Sequence, residues 1–591
     1  MTAMIGTLLA AHAAGKPVTA TIEETYDRIE SHDDPALFIA IRPKAEALAL
    51  AARIETSGPA GRPLYGVPFV VKDNIDVAGL PTTAACPAFG YRPDRSAFVV
   101  ERLERAGAIV VGKTNLDQFA TGLVGVRSPY GVPRNALRSD LIPGGSSSGS
   151  ATAVGAGLVP FSLGTDTAGS GRVPAALNGI VGLKPSLGAF STSGVVPACR
   201  TLDTVSIFAR DVADAFTVFH EAIAFDERDP YSRAFHEPAL SALASGIRLG
   251  VPRSDQLQFF DDKEASATFS RDLRRVQSLG ASVVEFDFEP FAEVARMLYD
   301  GPWVAERYAA TKPLIESNPD ALHPVTRAII ESARKFDAVA AFEALYRLAE
   351  RKRRTSHAWS EFDVMLVPTM PRFYTVAEVE ADPVRLNSRL GTYTNFVNLL
   401  DLCAIAVPAG VRGDGLPSSL TLIGPSGADG LIAGIAQAIE GRSGASTMAA
   451  SNTPKAASGR RGECIEIAVL GAHLSGLPLN RELLDLGASF SREVETAPDY
   501  RLFALPGSAP AKPGLLRVAK GSGSAIKAEI WTLDRAGFGD FVARIPAPLG
   551  IGTIRLSDGG SVKGFLVEAE AVKAAEDVSR FGGWRAYLTS L

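Results

Sequence analysis

The chain has 591 residues, too many for one ordinary hydrophobic core, so two or more domains are expected. Hydrophobic residues make up 46% and charged residues 21%, with a net charge of -5, a balance that excludes both a disordered chain and one built to coat nucleic acid. Its four cysteines, Cys86, Cys199, Cys403 and Cys464, are scattered without a CxxC pair or an adjacent His, which argues for reduced thiols, no disulfide framework and no metal site.

The N-terminal run MTAMIGTLLAAHAAGKPV lacks basic residues before its apolar stretch and reads as an amphipathic first helix rather than an export signal. Short apolar strands are expected in GVPFVVKDNI (66–75), AIVVGK (108–113), SVVEFDF (282–288), DVMLVPT (363–369) and AIAVPAG (404–410). They alternate with helical patterns such as DVADAFTVFHEAIA (211–224) and GLIAGIAQAIEG (430–441), which predicts an α/β body with a largely covered sheet. The segment 443–463, SGASTMAASNTPKAASGRRGE, is small, polar and free of aromatics, the composition of an inter-domain linker. Beyond it CIEIAVLGA (464–472), GLLRVA (514–519), AEIWTL (528–533) and VKGFLVEA (562–569) are separated by Gly and Pro turns and predict a small β-rich α+β domain. The expected division is therefore 1–442, linker 443–463 and 464–591. Gly, Pro or charge interrupts every apolar run before membrane-spanning length, so a cytoplasmic protein with neither membrane nor nucleic acid as partner is expected.

Residues 141–157, LIPGGSSSGSATAVGAG, carry four serines among glycines and alanines. A flexible linker is a poor reading, because the run passes directly into ATAVGAGLVPFSLG, suited to a closely packed helix. A phosphate loop is a better rival, but the Gly-Lys-Ser/Thr ending is missing. Downstream, GTDTAGSGRVPAA (164–176) sets a serine after a flexible turn and before a short helix beginning near Val173 or Pro174. Main-chain N–H groups of such a turn can converge on one spot, as an oxyanion requires. A serine hydroxyl needs a base, and all seven histidines lie outside residues 60–200. Lys72, at the end of GVPFVVKDNI, offers two readings: a strand-end lysine reaching solvent, or a buried neutral amine able to accept a proton.

GVPFVVKDNI, PGGSSSGSA and GTDTAGSGRVPA, in that order and spacing, resemble the amidase signature family of Ser-cisSer-Lys hydrolases over roughly residues 1–440. The resemblance implies a central mixed sheet covered by helices, Ser170 as nucleophile, Ser146 as the cis-peptide serine relaying protons, and Lys72 as terminal base. It implies an oxyanion hole from the backbone of Thr167, Ala168, Gly169 and Ser170, and no cofactor. The family's usual GGSSGGSA reads GGSSSGSA here, with Ser147 and Ser148 as neighbours of the relay.

MLYDGPWVAERYAA (297–310), if helical after Gly301 and Pro302, stacks Trp303 and Arg307 on one face, with Tyr299 a turn earlier. A guanidinium and a phenol there could hold a small carboxylate, or the arginine could be a solvated neighbour of core aromatics. That stretch, with NLDQFATGLVGVRSPYG (115–131), resembles the branch of the family that acts on allophanate, the anionic carboxylate of urea. The resemblance implies that Tyr299 and Arg307 bind the substrate carboxylate and that Gly122 adds a main-chain contact. GAHLSGLPLN (471–480) resembles the C-terminal domain of the same branch, where a histidine, His473 here, assists decarboxylation of N-carboxycarbamate; a strand-end histidine can equally be structural. Glu529 is a weaker candidate for that pocket. The branch implies a homodimer working beside a separate biotin-dependent urea carboxylase, since no biotin lysine motif is seen. Two rivals stand beside this reading: a general amidase or an amidotransferase A-type component, and a non-catalytic protein that captures small anions.

Overall fold

In this computed structural model the described residues are 4–235, 238, 240, 247–441, 464–507 and 510–591; the segment 443–463, read as a linker, lies outside them. They divide into two compact units, the smaller drawn mainly from residues 464–591. No described helix is long and apolar enough to cross a membrane.

The larger unit is built on eleven strands: β1 (Phe38–Ile41), β2 (Pro68–Lys72), β3 (Ile109–Thr114), β4 (Phe161–Asp166), β5 (Val181–Lys184), β6 (Thr204–Ala209), β7 (Arg248–Pro252), β8 (Ser282–Phe286), β9 (Val364–Pro368), β10 (Leu402–Val411) and β11 (Pro417–Pro425). Their order in the sheet is β1-β3-β2-β4-β6-β5-β10-β11-β9-β7-β8. The sheet is mixed: β2 runs parallel to β3 and β4 and β7 parallel to β9, while β4–β6, β5–β10 and β10–β11 are antiparallel. β2, β3, β4 and β6 are buried throughout, and β2 and the start of β3 read as continuous apolar runs rather than alternating ones. Phe69 of β2 stacks on Phe161 of β4 at 4.8 Å, fixing the register that brings the ends of these strands level.

The run ATAVGAGLVPFSLG, expected as one helix, is divided. A helix over Ser148–Gly155 stops at the glycine pair, Gly157 takes a left-handed φ of 76°, and Phe161–Asp166 becomes β4. Leu-Val-Pro cannot continue a helix, whereas Phe-Ser-Leu-Gly fits the slot between β2 and β6. The helix is buried from Ser148 to Val154 and needs its small residues: a Cβ on Gly149 would lie 2.6 Å from Leu37 O and 2.7 Å from Asn115 N. In MLYDGPWVAERYAA the helix begins after Gly301 and Pro302, as the sequence predicts: Tyr299 is in the last turn of helix Glu289–Asp300 and Arg307 in the first turn of helix Val304–Ser317, the Gly-Pro pair forming the corner.

The smaller unit has a five-stranded sheet, β13-β16-β12-β18-β17, and a three-stranded one, β15-β14-β19. Its strands are β12 (Ile465–Val469), β13 (Ser489–Glu495), β14 (Tyr500–Leu505), β15 (Lys512–Arg517), β16 (Lys527–Leu533), β17 (Leu549–Arg555), β18 (Ser561–Val567) and β19 (Glu576–Asp577). Buried Trp531, Phe541, Tyr500 and Trp584 belong to one core.

Candidate active site

Parallel strands present their carboxyl ends to one edge, and ligands of α/β proteins gather there. Lys72 ends β2, Asp166 ends β4, and the turn that follows β4 carries Ser170. Lys72 is fully buried and its Nζ lies 2.8 Å from both Ser146 Oγ and Thr165 Oγ1. Gly145–Ser146 is a cis peptide, and the Ser146 carbonyl accepts from Asp117 N at 3.0 Å. Ser147 Oγ donates to Thr165 O at 3.1 Å and Ser148 Oγ to Asn115 O at 3.4 Å. Burial drives the Lys72 ammonium from an ordinary 10.5 down to about 7; Asp117, Asp203 and Asp166 pull it back up and Arg307 pushes it further down. Of the two readings the sequence left open for Lys72, the buried amine is the one observed.

Ser170 Oγ donates to the Gly122 carbonyl at 3.4 Å, its one hydrogen-bond partner among the described residues. The turn around it is held by Asp166, which accepts from Gly169 N at 2.8 Å and Gly171 N at 3.0 Å and pairs with Arg172 through Nε and Nη2, both at 2.9 Å. Burial, the largest single influence, works against the Asp166 carboxylate, but the Arg172 charge and hydrogen bond, the Lys184 charge and the Gly171 amide together outweigh it and hold the group below its usual range. Asn398 Nδ2 ties the Asp166 carbonyl to that of Leu202, at 2.8 Å each. The Gly169 amide, expected among the oxyanion donors, is thus committed to Asp166. The Thr167, Ala168 and Ser170 amides have no hydrogen-bond partner among the described residues, which leaves three donors at the turn.

Arg307 is 2% exposed, and its Nη1 donates to Ala120 O at 3.2 Å and Thr121 Oγ1 at 3.1 Å. The guanidinium stands over the Tyr299 ring at 5.7 Å. No carboxylate among the described residues pairs with it directly: its hydrogen-bond partners are neutral, and Asp203 and Glu306 favour its charge only through space. The segment 120–122 therefore touches Arg307 at Ala120 and Thr121 and Ser170 at Gly122. Trp303, by contrast, is buried in an apolar cluster with Leu298 and Phe396.

In the smaller unit, His473 follows β12. Its Nε2 lies 3.0 Å from Glu482 Oε2, its ring stacks on Phe565 at 5.3 Å and meets Phe541 edge-on at 5.1 Å, and Asn480 Nδ2 holds its carbonyl at 2.9 Å. Burial lowers its pKa and the Glu482 hydrogen bond partly restores it. A cavity of about 210 Å³ opens beside it, lined among others by Glu482, Lys512, Phe541, Arg544 and Phe565. Glu529 does not line it: it is buried under Ser475, Trp531 Nε1 and Arg585, all within 3.1 Å, which makes it a structural hub.

Sequence pattern did not single out Thr165, Asp166, Arg172, Thr121 or Glu482. The first three lie inside GTDTAGSGR, where the serine is the conspicuous residue and those that hold it are not. Glu482 sits on a helix after the GAHLSGLPLN turn and leaves no local signal.

Residues 20–432 match the amidase family model, and the chain belongs to that family. Residues 465–589 match the model of the allophanate hydrolase C-terminal domain. The chain is 45% identical over 547 residues to the urea amidolyase of Saccharomyces cerevisiae, covering 90% of this chain but 30% of that protein, so it spans about a third of the length of such relatives. It is 37% identical over 409 residues to the A-type component of the glutamyl-tRNA(Gln) amidotransferase of Symbiobacterium thermophilum, 64% of this chain and 83% of that one. Among solved structures it is similar to the Kluyveromyces lactis allophanate hydrolase, with 41% identity, a TM-score of 0.77, and coverage of 100% of this chain and 99% of that one.

Proposed function

We propose that this chain hydrolyses allophanate in two steps. The observation that carries the reading is the Arg307 guanidinium, buried with no carboxylate in direct contact and tied to Ala120 and Thr121, next to the Gly122 carbonyl that receives Ser170 Oγ. A site built for a neutral amide has no use for a buried cation whose guanidinium lacks a direct anionic partner. Tyr299 lies beneath that cation and would complete the receptor for the substrate carboxylate.

Ser170 Oγ attacks the terminal amide carbonyl while its proton passes through Ser146 Oγ to the neutral Lys72 amine. The developing oxyanion is met by the Thr167, Ala168 and Ser170 amides. Return of that proton to the amide nitrogen lets ammonia leave, and water, activated by the same relay, frees N-carboxycarbamate. In the 464–591 unit His473, its Nε2 oriented by Glu482, gives a proton to the nitrogen as the C–N bond to the departing carboxylate breaks, releasing carbon dioxide and carbamate. The role of His473 rests on its cavity and on the match to the allophanate hydrolase C-terminal domain. The division of labour follows the boundaries 1–442, 443–463 and 464–591. A biotin-dependent urea carboxylase would supply the substrate, in the cytoplasm, with this chain working as a homodimer.

The test is the Arg307→Ala variant of the full chain, assayed for ammonia release from allophanate and from a neutral amide. A loss confined to allophanate supports the reading. Equal losses favour a general amidase or an amidotransferase-type component. Failure of the parent protein to release ammonia, or to be labelled at Ser170 by a fluorophosphonate, would leave only a small-anion-binding protein.

A further inference from the structure

NLDQFATGLVGVRSPYG carries a further buried guanidinium to which the reaction assigns no part. Arg127 is 1% exposed; its Nη1 donates to Thr121 O at 2.9 Å and its Nη2 to Pro383 O at 2.6 Å. Its backbone is fixed as well, with N donating to Asp117 Oδ1 at 3.0 Å and O accepting from Gln118 N at 2.8 Å. Thr121 is therefore gripped from two sides. Arg127 holds its carbonyl, while its hydroxyl donates to Phe119 O at 3.2 Å and accepts from Arg307 Nη1 at 3.1 Å. The next residue, Gly122, has φ 154° and no room for a side chain: a Cβ would lie 2.6 Å from Asp117 Oδ2 and 3.1 Å from Arg127 Nη1.

We infer that Thr121, anchored by Arg127, is a positioning residue that seats the Arg307 guanidinium in register with the Gly122 carbonyl, so that the carboxylate end of the substrate and the nucleophile are aligned by one rigid segment. The physical reason is valence. The Thr121 hydroxyl has one proton, spent on Phe119 O, so its oxygen faces Arg307 as an acceptor and sets which N–H of the guanidinium is tied down. The remaining N–H groups are then presented as a fixed fork to an incoming carboxylate, and misplacement by a fraction of an ångström weakens a bidentate contact. Replacing the hydroxyl by a methyl group keeps the volume and strands a buried N–H.

This inference rests on the proposal that Arg307 binds the substrate carboxylate, and a double-mutant cycle separates the two. In the full chain, Thr121→Val is expected to raise KM for allophanate about tenfold while kcat falls no more than about threefold, and Thr121→Ser to return KM to within about threefold of the parent. Combined with Arg307→Ala, Thr121→Val is expected to add less than about a twofold loss in kcat/KM, because it acts through the side chain already removed. Losses that multiply, an unmoved KM in Thr121→Val, or a Thr121→Ser variant as impaired as the valine one would each overturn the assignment. Arg307→Ala losing allophanate and neutral amide equally would instead overturn the carboxylate reading itself.

Discussion

The state of Lys72 is open to direct measurement through the pH dependence of Ser170 acylation. Burial lowers its pKa from 10.5 to about 7, a cost to the charged form of about 5 kcal/mol. In the proposed mechanism only the neutral amine can take the proton relayed by Ser146, so the rate of Ser170 labelling by an uncharged fluorophosphonate is expected to rise with pH and level off above about 7. Below that point it falls about tenfold per pH unit, to roughly a tenth of the plateau at pH 6. An uncharged probe confines the titration to the protein. The charges around Lys72 predict how the inflection moves. Arg307→Leu removes a cation that disfavours the ammonium and shifts it upward, whereas Asp203→Asn removes an anion that favours it and shifts it downward. A labelling rate flat from pH 5.5 to 9, or an inflection near the 10.5 of a solvated lysine, would refute the buried-amine mechanism.

Because the folded pKa of Lys72 lies below its unfolded one, the burial cost is fully present below about pH 7 and fades as pH rises toward 10.5. Lys72→Met is accordingly expected to be inactive yet more stable than the parent at pH 6, by up to about 5 kcal/mol less the lost hydrogen bonds, with a flatter stability curve between pH 7 and 10 in denaturant titrations. Asp166→Asn leaves Arg172 buried without its anion and is expected to cost about 3 to 5 kcal/mol and to abolish fluorophosphonate labelling; a variant as stable and reactive as the parent would contradict the role of the pair. Gly122→Ala, strained at φ 154° and short of space, should lose nearly all ammonia release, and normal turnover would show that this segment can move aside. His473→Asn should release ammonia from the first step at the parental rate while N-carboxycarbamate accumulates in a ¹³C NMR time course; an unchanged lifetime of that species would remove the smaller unit from the chemistry.

Much of this architecture is visible in local pattern. Fully buried strands announce themselves as unbroken apolar runs, which is why GVPFVVKDNI and AIVVGK are legible, and a serine between glycines marks a turn with inward amides. Where pattern is ambiguous it misleads: LVPFSLG is as apolar as a buried helix, and only the slot between β2 and β6 makes it a strand.

The residue types needed for acyl transfer, their order along the chain and the division into a large α/β body and a β-rich end are properties of the sequence alone, since they depend on composition and short-range spacing. Which hydroxyl faces which amine is not such a property: Lys72 meets Ser146 across 74 positions and Arg307 meets Ala120 across 187. Those meetings depend on sheet order and strand register. Burial, which lowers the Lys72 pKa and strips the Arg307 guanidinium of water, exists only once distant segments have excluded water from the same small volume.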